Sequence, residues 1–94
     1  MSRRDQLGAP GAHLEKVIGP VFGHFFACYT VRAGDGYHAY AKLCPERPDD
    51  VWDTPRALDK VACGPYPDPE RALLGVVSRA RRKLEQRHEM LWIV

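Results

Sequence analysis

Residues 25–44, FFACYTVRAGDGYHAYAKLC, decide the fold of this chain. Two runs rich in aromatic and β-branched residues flank a Gly-Asp-Gly sequence, which is typical of a β-hairpin. A three-residue loop at 34–36 would place Gly36 at a left-handed position and set Tyr29 opposite Ala41. The rest of the fold is predicted outward from this hairpin.

This register divides the side chains of the hairpin between two faces. The first face is apolar apart from two tyrosine hydroxyls, and it consists of Phe25, Ala27, Tyr29, Val31, Tyr37, Ala39, Ala41 and Leu43. The second face mixes aromatic rings with cations, and it comprises Phe26, Cys28, Thr30, Arg32, His38, Tyr40, Lys42 and Cys44. We expect the first face to form the core and the second to face water, as is common in antiparallel sheets.

The strands of the hairpin are predicted at residues 21–32 and 37–44, and a weaker third strand at residues 56–63. A loop rich in proline and aspartate, residues 45–55, joins the second strand to the third. Gly64-Pro65 is expected to end the third strand. This order predicts an antiparallel meander of three strands.

The two ends of the chain have different patterns. Residues 1–11 lack apolar periodicity and are predicted to be a flexible tail, which leaves residues 12–94 as a single domain. Residues 13–18 fit either a short helix or a short strand, and Gly19-Pro20 should end that element. Residues 90–94, MLWIV, are uncharged and rich in strand formers. We expect them to dock as a C-terminal edge strand or as a cap over apolar sheet surface, or else to mark a partner interface.

One long amphipathic helix is predicted to start at Asp68, Pro69 and Glu70. The aspartate can cap the first turn, proline needs no donor at the first helical position, and glutamate suits the positive end of the helix dipole. Helical spacing defines a buried stripe of Leu73, Val77, Ala80 and Leu84, widened by Leu74 and Val76. The helix should fade near residues 87–88. The predicted fold class is α+β, with a three-stranded antiparallel meander packed against this C-terminal helix.

Composition bounds the class of protein. A chain of 94 residues, with 45% hydrophobic and 28% charged residues, fits one folded domain better than a disordered segment. The net charge of +2 is too small to indicate nucleic-acid binding by itself. No apolar run reaches the ~18 residues of a membrane span. The excess of arginine over lysine and the absence of asparagine favour a bacterial protein, which we expect in the cytoplasm.

The sequence offers little support for metal binding or catalysis. Cys28, Cys44 and Cys63 lie 16 and 19 residues apart, without the close pair that seeds a zinc site. Cys28 and His38 would share a face in the expected register, as a nucleophile and its base would, but eight strand positions often supply such a pair by chance. Phosphate-binding loops and nucleophile elbows are absent from the sequence. We therefore expect no metal, no cofactor and no enzymatic activity.

Two groups of side chains are candidates for a binding surface. Aromatic rings beside cations on an open sheet can stack bases and hold phosphates, and residues 79–83 form the densest basic cluster. The candidate residues are Phe26, Arg32, His38, Tyr40, Lys42, Arg79, Arg82 and Lys83. Each group also has a simpler interpretation, as the wet face of a sheet or as the solvated end of a helix, where the dipole favours cations.

Three strands followed by a helix, over residues 21–88, resemble the later part of a double-stranded-RNA-binding domain. That family holds phosphates with lysines at the start of its last helix. Here Asp68 and Glu70 place two acids there, which argues against that activity. In size and arginine bias the chain also resembles the short uncharacterised proteins of Burkholderia-type bacteria, a resemblance that carries over no site.

The sequence favours a non-enzymatic accessory or protein-interaction domain, a monomer or weak homodimer with an unidentified protein partner. The alternative is a nucleic-acid-binding protein that uses the basic helix and the exposed face of the sheet. An enzyme is the third hypothesis.

Overall fold

A four-stranded sheet and one helix make up the structure. The computed structural model describes residues 14–54 and 57–93, with the backbone alone for residues 88–93. The elements in chain order are β1 (Glu15–Val21), β2 (His24–Ala33), β3 (Gly36–Cys44), β4 (Asp59–Tyr66) and α1 (Pro69–Ile93). Neighbouring strands are antiparallel in the order β1-β2-β3-β4, and α1 packs against β2, β3 and β4. The α+β class with a C-terminal helix is confirmed, while the predicted tail at residues 1–11 lies outside the described residues.

The fourth strand comes from the N-terminal side of the sheet. The choice left open for residues 13–18 is resolved as strand β1, and no short helix occupies this part of the described chain. Gly19-Pro20 does not end the element but lies within it, and Gly64-Pro65 likewise lies within β4. Both prolines sit on the outer strands of the sheet, where a missing backbone N–H breaks no central ladder.

Residues 90–93 continue helix α1 instead of forming a strand, so the expected C-terminal strand is wrong. The helix also passes the end predicted at residues 87–88. Between Val76 and Ile93 the sequence contains neither glycine nor proline, and methionine and leucine are good helix formers. Helix continuation therefore overrides the strand propensity of the last residues. The predicted docking of these side chains falls outside the described residues, as does Val94.

The predicted start of α1 is confirmed in atomic detail. The Asp68 carboxylate accepts a hydrogen bond from the backbone N–H of Arg71 at 2.8 Å, as an N-cap residue does. Leu73, Ala80 and Leu84 are buried as predicted. The stripe is centred on fully buried Val76 and not on Val77, which is half-buried. Leu74 is wrong as a core residue, because it lies outside this stripe and is 69% exposed.

The register of the hairpin differs by one residue from the predicted one. Ala33 pairs with Gly36 across a two-residue turn, so Tyr29 faces Tyr40 and not Ala41. Because side chains alternate along a strand, this slip moves the side chains of β2 to the face opposite the predicted one, while those of β3 keep the face predicted for them. The face that packs against α1 therefore carries Phe26, Cys28, Ala39, Ala41 and Leu43, all with 0% exposure.

The other face of the sheet is covered too, which explains why apolar residues occur at both sets of alternate positions. Residues 45–54 fold over it and bury Val51 against Ala27, Tyr29 and Cys44. Half-buried Val17 and Tyr40 complete this outer cluster. The sheet is thus a middle layer between the helix and a loop, and the expectation of one open, wet face is wrong.

Gly64 is a position where only glycine fits, and it provides a first test of the fold. Its φ is +133°, and an added Cβ would lie 2.8 Å from the Tyr37 carbonyl oxygen and 2.9 Å from His38 Cα. We expect Gly64→Ala to cost at least about 1–3 kcal/mol, the usual penalty of such a backbone conformation. Gly34→Ala is the matched control, because an added Cβ there meets nothing within 4 Å. Equal unfolding midpoints of the two variants in urea would contradict the packing of β4 on β3.

Candidate interaction groove

The eight predicted site residues do not form one surface. Phe26 lies in the core. Arg32 is exposed on the helix-facing side near the hairpin turn, with its guanidinium 6.0 Å from the centre of the Tyr37 ring. By the observed register, His38, Tyr40 and Lys42 lie on the outer face of the sheet, while Arg79, Arg82 and Lys83 project from α1. The predicted grouping of Phe26 and Arg32 with His38, Tyr40 and Lys42 is therefore wrong. It rested on the register of a three-residue loop, which the structure does not have.

The outer face holds a compact group of aromatic rings. The Tyr29 ring stacks on Tyr40, with ring centres 5.2 Å apart, and its centre lies 4.4 Å from that of Trp52. The Trp52 indole N–H donates to a Glu15 carboxylate oxygen at 3.0 Å, which links the loop to β1. Tyr29 is buried, so its ring is not offered to a base from solution.

The lysines of the outer face are engaged with these same rings. Lys42 Nζ donates to the Val51 carbonyl at 3.0 Å and lies 5.5 Å from the centre of the Tyr29 ring. Lys60 Nζ lies 5.0 Å from the centre of the Tyr40 ring. Such cation–π contacts stabilise the two lysine ammonium groups in these positions. The outer face therefore fastens residues 45–54 to the sheet.

The imagined pair of a cysteine nucleophile and a histidine base does not form. Cys28 belongs to the helix-facing core, whereas His38 lies on the outer face. Burial, with a smaller effect of Cys44, raises the pKa of the Cys28 thiol to about 12, so it stays protonated and unreactive near neutral pH. The His38 ring instead meets the Asp35 carboxylate at 2.9 Å, and that hydrogen bond lowers the pKa of Asp35.

A groove runs between β4 and α1, on the helix side of the sheet. It has a volume of about 650 Å³ and is lined by Lys60, Val61 and Ala62 of β4 and by Gly75, Ser78, Arg79, Arg82, Lys83 and Gln86 of α1. The helical residues recur every three or four positions and so form one stripe, beside the buried one. These described lining residues include four cations and no acid. We call this feature the β4–α1 groove.

Asp59 neutralises cations at one end of the groove. Its carboxylate binds Lys83 Nζ at 2.6 Å and an Arg87 guanidinium nitrogen at 3.1 Å. By contrast, Arg79 and Arg82 make no ion pair with any residue that the structure describes. Arg79 lines the groove together with Val61 and Ala62 of β4. Arg79 and Arg82 are therefore the cations that the groove offers to a ligand.

The Asp59 ion pairs make stability depend on pH. The hydrogen bond from Lys83, helped by the Lys60 backbone N–H and by the charge of Arg87, lowers the pKa of Asp59 in the folded state. A lowered pKa adds stability above the unfolded-state value of about 3.9, and this stability is lost as the pH falls through the folded-state value. We expect the free energy of unfolding of wild type to exceed that of Asp59→Asn at pH 6 but to converge with it near pH 2. A difference that is constant with pH, measured by urea denaturation, would contradict these ion pairs.

Sequence reasoning identified the helical half of the groove and missed the strand half. Arg79, Arg82 and Lys83 were candidates because they cluster in sequence. Lys60 joins them only because β4 pairs with β3 alongside the helix, a contact that local pattern does not encode. The helical spacing of Ser78, Arg79, Arg82 and Gln86 was a signal that could have indicated a polar stripe bordering the core.

Comparisons with known proteins give no family for this chain. No protein-family model matches it, and no curated protein or solved structure matches it significantly. Within residues 14–54 and 57–93, no helix combines the length and apolarity that crossing a membrane requires. The same described residues contain no group of three or more histidine, cysteine or acidic side chains placed to hold a metal ion.

Proposed function

We propose that this chain is a non-enzymatic protein-interaction domain of the bacterial cytoplasm, which acts as a monomer or weak homodimer. The observation that carries the proposal is the β4–α1 groove, which lies along an outer strand and presents two cations, Arg79 and Arg82, that form no ion pair with the described residues. The outer strand of a sheet offers backbone donors and acceptors to another chain. The opposite face of the sheet is occupied by residues 45–54, which leaves the groove as the favoured binding surface.

Two consecutive arginines give a matched test of this proposal. Arg82 lines the groove, whereas Arg81 is exposed on the same helix and does not line it. Both Arg82→Glu and Arg81→Glu make the same change of charge at exposed positions, where effects on folding are usually within about 0.5 kcal/mol. Immobilised wild type and Arg81→Glu should retain the same partner from an extract of the cells that make the protein. Arg82→Glu should lose it. A partner retained equally by all three proteins would contradict binding through the groove.

Nucleic-acid binding is the second candidate, and the free guanidinium groups of Arg79 and Arg82 favour it, since arginine binds phosphate well. One feature weighs against it: the aromatic rings of the outer face are engaged with the loop and are not offered to bases. A salt titration with generic single- and double-stranded DNA and RNA tests it, because phosphate contacts weaken steeply as salt rises. Absence of binding at low salt would refute this candidate.

A further inference from the structure

We propose that the β4–α1 groove binds an extended acidic segment of a partner protein, which pairs with β4 as a fifth strand. This inference rests on the proposed function and deepens it, because it states the conformation and the charge of the bound segment. Three features carry it: the regular outer edge of β4, which pairs with no further strand among the described residues, the surface of α1 beside this edge, and cations on both sides of the position that an added strand would occupy.

The edge of β4 is regular over the stretch that faces the groove. Residues 59–63 continue the ladder with β3 without interruption, from Leu43↔Asp59 to Ala39↔Cys63. The register shift between Ala39 and Tyr37 lies opposite residues 63–66 of β4, so both this shift and Gly64-Pro65 come after the regular stretch. Proline and bulges are the devices that usually block pairing at a sheet edge. Five residues without either can form backbone hydrogen bonds with one more strand.

Helix α1 lies beside this edge, on the helix-facing side of the sheet. Gly75, Arg79 and Arg82 line the groove next to Val61 of β4. A strand added about 4.8 Å beyond β4 would lie over this part of the helix. Every second side chain of the added strand would then face the two free guanidinium groups, and acidic side chains there would form charge-assisted hydrogen bonds.

The opposite side of the added strand would meet Lys60 and Ala62. Lys60 pairs with Lys42 of β3, and Ala62 pairs with Tyr40 of β3. Both β4 residues therefore lie on the outer face of the sheet. A lysine on an edge strand disfavours pairing with a neutral apolar strand and favours an acidic residue directly opposite it. Lys60 thus selects for the same charge as Arg79 and Arg82 do, but from the other face.

Charge also disfavours a second copy of this chain as the occupant of the groove. Antiparallel pairing of two β4 strands would bring two sets of Lys60, Arg79 and Arg82 together. Like charges directly opposite each other on paired strands are destabilising. Asp59 at the end of the groove does not offset this repulsion, because its carboxylate is already bound by Lys83 and Arg87.

Synthetic peptides test this inference on the full chain. The probe is a fluorescent ten-residue peptide in which glutamate alternates with valine and threonine. Its first control has the same sequence with alternate backbone nitrogens methylated, which removes the donors along one edge and leaves the charge unchanged. The second control replaces every glutamate with lysine. Affinities for wild type, Arg82→Glu and Arg81→Glu are measured by fluorescence anisotropy at low salt.

The expected result is that the glutamate peptide binds wild type and Arg81→Glu with equal affinity. Binding should weaken about tenfold for Arg82→Glu, which corresponds to 1.4 kcal/mol. Methylation should weaken it at least as much, and the lysine peptide should not bind. Equal binding of the methylated peptide would overturn strand addition, and equal binding of the lysine peptide would overturn the role of charge.

Failure of this inference can be told apart from failure of the proposed function. If the glutamate peptide does not bind at millimolar concentration while Arg82→Glu still loses the cellular partner, the groove binds proteins in another way and the inference alone is wrong. If a single-stranded oligonucleotide displaces the peptide and binds more tightly at the same salt concentration, the inference and the proposed function both give way to nucleic-acid binding.

Discussion

Replacing Phe26 with alanine should lower the free energy of unfolding by about 3–5 kcal/mol, the usual range for a buried phenylalanine. Phe26 has 0% exposure and lies at the centre of the helix-facing cluster, so its loss leaves a cavity between the sheet and α1. A small domain has a total stability of only about 5–15 kcal/mol. The variant should therefore be close to the limit of folding at room temperature.

Phe25→Ala is the matched control for this experiment. The neighbouring ring is half-buried on the outer face, where the Arg47 guanidinium lies 5.7 Å from its centre. Its removal opens a site toward solvent and should cost clearly less than the loss of Phe26. Urea denaturation of both variants decides between the two registers of the hairpin. A larger loss for Phe25→Ala would support the three-residue loop and exchange the two faces of β2.

Leu84→Ala should cost about 2–5 kcal/mol, which is the second large effect expected. Leu84 is 3% exposed and packs on the same core from the third turn beyond Leu73. The matched control is Leu74→Ala, which removes the same atoms from a side chain that is 69% exposed on the same helix. Exposed substitutions usually change stability by no more than about 0.5 kcal/mol. Similar unfolding midpoints for the two variants would show that the helix does not present this stripe to the sheet.

The hairpin illustrates how far sequence reasoning reached. The two strands and the turn between them were predicted at the right place, because glycine and aspartate separate two runs of strand formers. The register was not, because the contrast between the two faces is weak when both are covered. Phe25, Ala27 and Tyr29 look as much like core residues as Phe26 and Cys28 do. The sequence does not reveal that residues 45–54 cover the second face.

Proline misled the prediction at both edges of the sheet. Gly19-Pro20 and Gly64-Pro65 were interpreted as ends of elements, yet both lie within outer strands. Whether proline interrupts a strand depends on whether its nitrogen faces a neighbouring strand, and that depends on the order of strands in the sheet. The helix start needed no such information, because Asp68 caps its own turn.

The candidate site divides in the same way between local and long-range information. The cations of the helix are consecutive in sequence and were identified as a group. Their use depends on what lies opposite them, which is the free edge of β4 and not the aromatic face. Asp59 also decides which cations are available to a ligand. It forms ion pairs with Lys83 and Arg87, which leaves Arg79 and Arg82.

The central claim is that the β4–α1 groove, and not the outer face of the sheet, is the binding surface. Nuclear magnetic resonance of the ¹⁵N-labelled chain with the glutamate peptide tests this most directly. We predict that the glutamate peptide will shift the backbone amide signals of residues 59–63 and 78–86. It should also slow amide hydrogen exchange along β4. The Trp52 indole N–H signal, which reports on the outer face, should stay in place. Shifts concentrated at Trp52 and Tyr40, with the signals of β4 and α1 unchanged, would contradict the account.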